Sequence, residues 1–190
     1  MSSNPSNDEL LAVCGFKECV VYSVTVTGSI TQNKLQVTPS LENNDYIIKP
    51  LWVPGLSHLL ALVTAHSVQI FDLSKDLKHA AYHFQPVEGK FRDATFISIP
   101  STYQQTPEEK EQEKGELPCY LLVMSQNGCI YTQKVSSYCL ASQGCFYLAE
   151  TLEWSSEENN GGTELLKRDA NTGSIGQGGA SIFYSHTLNL

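Results

Sequence analysis

The chain has 190 residues, 41% hydrophobic and 17% charged, with a formal net charge of −8 and a pI near 5.0. That length supports one sizeable core, and the acidic balance, with twelve scattered Lys and Arg, argues against nucleic acid or anionic lipid as partners. No apolar run approaches the ~20 residues of a membrane-spanning helix; the longest lies around Leu59 to Val63.

The polar opening MSSNPSNDEL lacks the apolar stretch of a secretory signal. A location in the cytoplasm, and also in the nucleus, is the expectation, with reduced thiols. Six cysteines stand at positions 14, 19, 119, 129, 139 and 145, and none forms the Cys-x-x-Cys spacing of zinc or thioredoxin-like sites. Cys129 falls in a strand-like run and is expected to act as a small core hydrophobe.

Helical periodicity is weak throughout, and alternating or short apolar runs dominate. In CVVYSVTVTG, Val20, Tyr22, Val24 and Val26 share one face, with Val21, Ser23, Thr25 and Thr27 on the other, which predicts a half-buried strand. Strands are predicted near 11–14, 18–27, 34–38, 46–53, 59–65, 68–73, 80–85, 91–99, 119–125, 129–135, 145–153 and 180–190. Pro54-Gly55, Glu88-Gly89 and Asn127-Gly128 supply turn signals between them. The fold class is all-β.

Two segments differ in composition. Residues 101–118 carry five Glu and two Lys, and residues 155–179 hold six Gly. Neither buries enough apolar surface to offset its ordering entropy, so both are read as solvated loops between strands.

The hairpin LALVTAHSVQIFDL (60–73) overlays YLLVMSQNGCIYTQ (120–133), with Val63 on Val123, Ile70 on Ile130 and Phe71 on Tyr131. Upstream, IIKPLWVPG (47–55) parallels FRDATFISIP (91–100), with Trp52 on Phe96, 44 residues apart. A looser copy lies at 10–24, and another begins at GASIFYSHTLNL. A period in the forties, with about four short strands per unit, is a β-propeller signature, and Phe71-Asp72 stands where WD40 blades carry Trp-Asp. The expected architecture is an incomplete WD40-like β-propeller. It has a partial first blade at 1–45, a blade at 46–90 and a blade at 91–154 carrying the acidic insert 101–118. The Gly-rich polar loop 155–179 and the start of a truncated blade at 180–190 follow. About two blades plus partial ones cannot close a ring of roughly four to eight, so the chain is expected to be a fragment of a longer protein. The alternative is a self-contained β-sandwich that binds a ligand or houses a small enzyme site.

LWVPGLSHLLALVTAHSVQIFDLSKD, FRDATFISIP, LLVMSQNGCIYTQ and GGASIFYSHTLNL, in that order, resemble the β-propeller region of the giant UBR-box ubiquitin ligases, called pushover, purity of essence or calossin in animals and BIG in plants. The similarity runs from about residue 46 to 190 and is weaker before it. The resemblance implies a non-catalytic scaffold segment of a ubiquitin-protein ligase in the N-degron and ubiquitin–proteasome pathway. The family's zinc modules, which capture destabilising N-termini and transfer ubiquitin, need clustered Cys and His that this chain lacks, so no cofactor is expected here. The expected partners are proteins, with the inserts as interaction loops: Tyr103 and Trp154 as aromatic anchors, Glu108, Glu109, Glu111 and Glu113 as an acidic docking run.

The histidines, glycines and serines of the chain form no recognisable catalytic or metal pattern. His79 and His83 would share a helix face, but AAYHFQ alternates as a strand, with Tyr82 and Phe84 inward and His83 outward. Strand residues four apart stand about 13 Å from each other and cannot share a metal. His58 and His66 flank a strand with no carboxylate or Cys cluster to join them. GSIGQGGAS (173–181) precedes a strand rather than opening a helix, unlike a dinucleotide fingerprint. There is no Gly-x-Ser-x-Gly elbow, and Ser185-His186 are adjacent on a predicted strand, facing opposite ways.

Overall fold

A computed structural model of the chain describes residues 1–25, 30–86, 89–98, 119–126, 130–135 and 144–148. Among these residues the structure is all-β, with twelve strands and no helix. The first sheet is a meander of β1 (Ser2–Asn4), β2 (Asn7–Cys14), β3 (Cys19–Val24) and β4 (Ile30–Val37), paired antiparallel in that order. The second is the meander β5 (Ile47–Trp52), β6 (Leu59–Thr64), β7 (Val68–Asp72) and β8 (Tyr82–Pro86), with β12 (Gly144–Leu148) added parallel to β8. The third comprises β9 (Phe91–Ser98), β10 (Cys119–Ser125) and β11 (Ile130–Val135).

The second sheet is the middle layer. Every residue of β6 and β7 is buried. Strand residues alternate between faces, so Leu59, Ala61 and Val63 point one way and Leu60 and Leu62 the other. The first set joins Phe91, Ala94, Phe96, Leu121 and Val123 of the third sheet in one apolar cluster. The second set, with Trp52 and Phe71, joins Ala12, Cys19, Val21 and Val37 of the first sheet in another. A continuous apolar run where both faces are covered replaces the clean alternation of a one-sided sheet. Three stacked sheets also differ from the two layers of a β-sandwich.

Strands β1, β5 and β9 lie at a common edge of the three sheets, where β5 packs against both of the others. Two side chains tie β1 to the middle sheet. The Trp52 indole Nε1–H donates to the Ser2 carbonyl at 3.0 Å, and the buried Asn4 amide donates to the Ser57 carbonyl at 2.8 Å. Lys49 of β5 pairs with Asp93 of β9. Gln69, buried within β7, grips the Ser40 peptide, donating to its carbonyl at 2.6 Å and accepting from its N–H at 3.0 Å. A buried amide satisfied in this way fixes the 38–46 linker against the middle sheet.

The structure revises several sequence expectations. Strand β1 and the start of β2 lie in the polar opening, where no strand was predicted before residue 11. On β3 the fully buried face is Cys19 and Val21, while Val20, Tyr22 and Val24 are only half-buried; pairing of Val21 with Ala12 and Leu35 sets which face meets the core. The overlay of the two hairpins slips. Val63 pairs with Val68, whereas Val123 pairs with Tyr131, so the second connection is longer and Val68, not Phe71, is the register counterpart of Tyr131. On β8, Tyr82 and Phe84 face the core and His83 the opposite side, as the alternation predicts, although His83 is half-buried there. Gly55 takes φ 77° and Gly89 φ 80°, the left-handed region expected of two of the turn signals; the third, Asn127-Gly128, lies outside the described residues. So do Cys129, the loops 101–118 and 155–179, and the strand predicted over 180–190.

Candidate functional site

The six residues expected to mediate interaction, Tyr103, Glu108, Glu109, Glu111, Glu113 and Trp154, lie outside the described residues. The described surface offers a different constellation, at the seam between the first and second sheets. The β2–β3 connection, Gly15-Phe16-Lys17-Glu18, is closed by the Gly15 N–H donating to the Glu18 carbonyl at 2.9 Å. It projects Phe16 outward, 78% exposed, toward Tyr46, which is 43% exposed at the entry to β5. The two rings meet edge to face with centroids 6.4 Å apart, a favoured aromatic geometry. The Ile47 N–H donates to the Phe16 carbonyl at 2.8 Å, so backbone as well as ring holds the turn on the second sheet.

Beside this pair opens a cleft of about 330 Å³, lined by Cys14 and Gly15 at the turn, Ile48, Lys49 and Leu51 of β5, and Thr95 of β9. Cys14 faces Cys19 across the β2–β3 ladder. A hydrogen bond from the Cys19 thiol holds Cys14 below the ordinary thiol range, and the same bond pushes Cys19 up. Both are free thiols, as is Cys119, which burial pushes up to about 12.

Asp45 organises the next layer. Its buried Oδ1 accepts from the Tyr46 N–H and from the Ala65 N–H, both at 2.9 Å, linking the β5 entry to the β6–β7 turn. His66 Nδ1 lies 3.2 Å from the same oxygen. That approach is off hydrogen-bond alignment, and Nδ1 has no aligned partner among the described residues. One carboxylate thus approaches His66 without joining it to His58; it arrives from 21 residues upstream in the chain, a separation no local pattern encodes. The same turn is closed by Thr64 Oγ1, which accepts from the Ser67 N–H at 3.0 Å.

The Phe71-Asp72 ending has a structural task. Asp72 accepts from the Ser74 N–H at 3.0 Å and lies 3.0 Å from Lys75 Nζ, capping the turn after β7. Burial works to raise its pKa, but hydrogen bonds from Ser74 and Lys75 outweigh this and hold it low. His79 is exposed and meets Asp76 at 2.8 Å. The Lys78 N–H, then His79, draw Asp76 down to about 2. On β8, burial lowers the pKa of His83, and its Nε2 has no partner among the described residues.

Among the described residues no three His, Cys, Asp or Glu side chains gather as metal ligands, and no helix is long and apolar enough to cross a membrane. What the seam can do chemically is present aromatic surface and a partly exposed thiol, while Lys49 is already engaged by Asp93. The sequence reading missed Phe16, Tyr46 and the thiol pair. Their available signal was CGFKEC, a hairpin connection with an aromatic tip between two cysteines.

No family model matches the chain. It is 37% identical over all 190 residues to Protein purity of essence of Drosophila pseudoobscura pseudoobscura, and it spans 3% of that protein. It is 29% identical over 156 residues, 80% of the chain, to a probable E3 ubiquitin-protein ligase of Dictyostelium discoideum. It is 31% identical over 133 residues, 70% of the chain, to Auxin transport protein BIG of Oryza sativa subsp. japonica. The chain spans 2% of each of the latter two. The similarity to purity of essence extends through residues 1–45, where the sequence resemblance was weaker.

Proposed function

The chain belongs to the family of giant UBR-box ubiquitin ligases, and we propose that it is a non-catalytic scaffold segment of a large ubiquitin-protein ligase, part of a WD40-like β-propeller that works by binding proteins. One observation carries this reading: the middle sheet is covered on both faces by neighbouring sheets, while β1, β5 and β9 share one edge. Propeller blades stack in this manner, each meander starting at the central axis and burying its faces against its neighbours. A segment of this kind contributes shape and docking surface to an assembly, and its exposed aromatic pair at the seam and its two long inserts are the surfaces it offers. In this reading the partners are ligase components or substrates of the N-degron and ubiquitin–proteasome pathway, encountered in the cytoplasm and also the nucleus. The segment itself needs no cofactor, and ubiquitin transfer is the task of modules elsewhere in the longer protein.

The test of architecture is an electron cryomicroscopy map of the longer protein. Further four-stranded sheets packed on the outer faces of the first and third sheets, closing a ring, are expected; solvent on both outer faces would overturn the propeller. The test of role is excision of residues 1–190 from the longer protein. Loss of substrate ubiquitination, with autoubiquitination by the catalytic module retained, is expected of a scaffold. Unchanged substrate ubiquitination and unchanged captured partners would refute it.

A further inference from the structure

The pairing of β2 with β3 sets two cysteines opposite each other at the end of the ladder. Gly15 and Glu18, next along the ladder, are joined by a hydrogen bond of 2.9 Å. Antiparallel pairs alternate between hydrogen-bonded and non-hydrogen-bonded, so Cys14 and Cys19 occupy a non-hydrogen-bonded pair, where Cα atoms stand about 4.5 Å apart and side chains approach most closely. That spacing lies inside the roughly 4.4–6.8 Å range of disulfides. Directly opposed side chains also share a face of the sheet.

The two thiols are not equivalent. Cys19 is 0% exposed and belongs to the core between the first and second sheets. Cys14 is partly buried at the margin of that core and lines the 330 Å³ cleft. Solvent and small oxidants therefore reach Cys14 and not Cys19. The facing Cys19 thiol lowers the pKa of Cys14 and so favours the thiolate there, the form that reacts. Cys119, buried and pushed up to about 12, has no such help.

We infer that Cys14 and Cys19 form an oxidative modification site, in which a small hydroperoxide converts the facing thiols to a reversible cross-strand disulfide. The Cys14 thiolate attacks the terminal peroxide oxygen and the O–O bond breaks. With one proton taken up, water leaves from hydrogen peroxide, or an alcohol from an organic hydroperoxide, and Cys14 becomes a sulfenic acid. The Cys19 sulfur then attacks the Cys14 sulfur, the S–O bond breaks, and the Cys19 proton leaves with the hydroxide as a second water. Two thiols lose two electrons and one peroxide gains them. A small dithiol restores the pair by attack at the accessible Cys14 sulfur, becoming a disulfide itself. The cross-link sits at the base of the turn that carries Phe16, so oxidation tightens the point at which the first sheet grips Ile47 and Tyr46 of the second.

The experiment uses the full chain with hydrogen peroxide as probe. Trypsin cuts after Lys17, between the two cysteines, and after Lys34. Oxidised protein, alkylated and digested, should give peptides 1–17 and 18–34 as one species, two hydrogens lighter than their sum and separated by dithiothreitol. Before oxidation, iodoacetamide should modify Cys14 at least about tenfold faster than Cys19, a difference that urea abolishes. Cys19→Ser should leave a sulfenic acid at Cys14 that dimedone traps, and Cys14→Ser should yield neither adduct nor cross-link. Dimedone added to the unaltered chain during oxidation should capture the same adduct, which keeps the test valid if a variant fails to fold. Peroxide that leaves both thiols alkylatable, equal native alkylation rates, or Cys14 linked instead to another cysteine would each overturn the inference.

Discussion

Leu62 and Val63 are neighbours on β6, both 0% exposed, yet they belong to different apolar clusters. Leu62 faces the first sheet and Val63 the third. A strand at the surface of a two-layer fold would tolerate truncation at one of the two positions; a strand inside a three-layer stack tolerates it at neither. Leu62→Ala removes three carbons, about 2.4 kcal/mol of transfer free energy at ~0.8 kcal/mol per methylene, and a residual cavity raises the loss to about 3 kcal/mol. Val63→Ala removes two carbons, and the same reasoning gives about 2 kcal/mol. With a urea slope of about 2 kcal/mol/M, the midpoints should fall by roughly 1.5 M and 1 M respectively. Tryptophan fluorescence follows the transition, since Trp52 is buried between the first and second sheets. Equal slopes are required, because a changed slope signals altered compactness rather than lost packing. A midpoint that moves by less than about 0.25 M for either variant would refute burial on both faces, since that shift is worth only ~0.5 kcal/mol.

Three further outcomes follow from individual contacts. Trp52→Phe keeps most of the buried ring but orphans the Ser2 carbonyl; a loss of about 1 kcal/mol is expected, with faster amide exchange confined to the β1–β2 ladder, and unchanged exchange there would contradict the tie. Gln69→Leu fits the apolar strand by shape but leaves both the N–H and the carbonyl of Ser40 unpaired; it should destabilise by roughly 2 kcal/mol in urea unfolding, and a neutral result would mean that water replaces the side chain. Burial depresses the pKa of His83 below the ordinary 6.5, so the unfolded chain binds its proton first and stability must fall as pH drops from 6.5 toward the folded value; His83→Phe should flatten that part of the pH profile, and an identical slope in the variant would exclude His83 as its source.

The strands of the middle sheet were the most readable part of the chain. LLALV is too short for a helix, lacks polar interruptions and is bounded by turns, and those features are what a doubly covered strand requires. The expected strand over 59–65 accordingly appears at Leu59–Thr64. What escaped were features decided by partners distant in sequence. Strand β1 is polar and three residues long; it is held by Trp52 and Ser57 rather than by its own pattern. The inward face of β3 follows from which residues oppose it on β2 and β4, and Val-Val-Tyr reads equally well in either register. The hairpin overlay matched residue types but could not detect the longer second connection, so Phe71 and Tyr131 coincided in the sequence and not in the ladder. Asp45 reaches the β6–β7 turn only after the linker has folded back.

The long-range contacts share a location, and this shapes how the segment would respond to partners. Gly15 to Glu18, Asp45 and the Thr64–Ser67 turn are all connections between elements, yet each is fixed by hydrogen bonds to another layer or across its own ends. The Phe16 carbonyl is held by Ile47, the Asp45 carboxylate by Ala65, and the Ala65 carbonyl in turn by the Phe91 N–H at 2.7 Å. These contacts form a path from the first sheet through the second to the third, running through backbone groups that have few alternative partners when covered. Loosening one end should therefore reach the next by removing a hydrogen bond, not only by shifting side chains. A ligand that seats on Phe16 and Tyr46 presses on the first step of that path, and a cross-link between Cys14 and Cys19 stiffens the same step from below. Either event would act at the point where the first sheet meets the second.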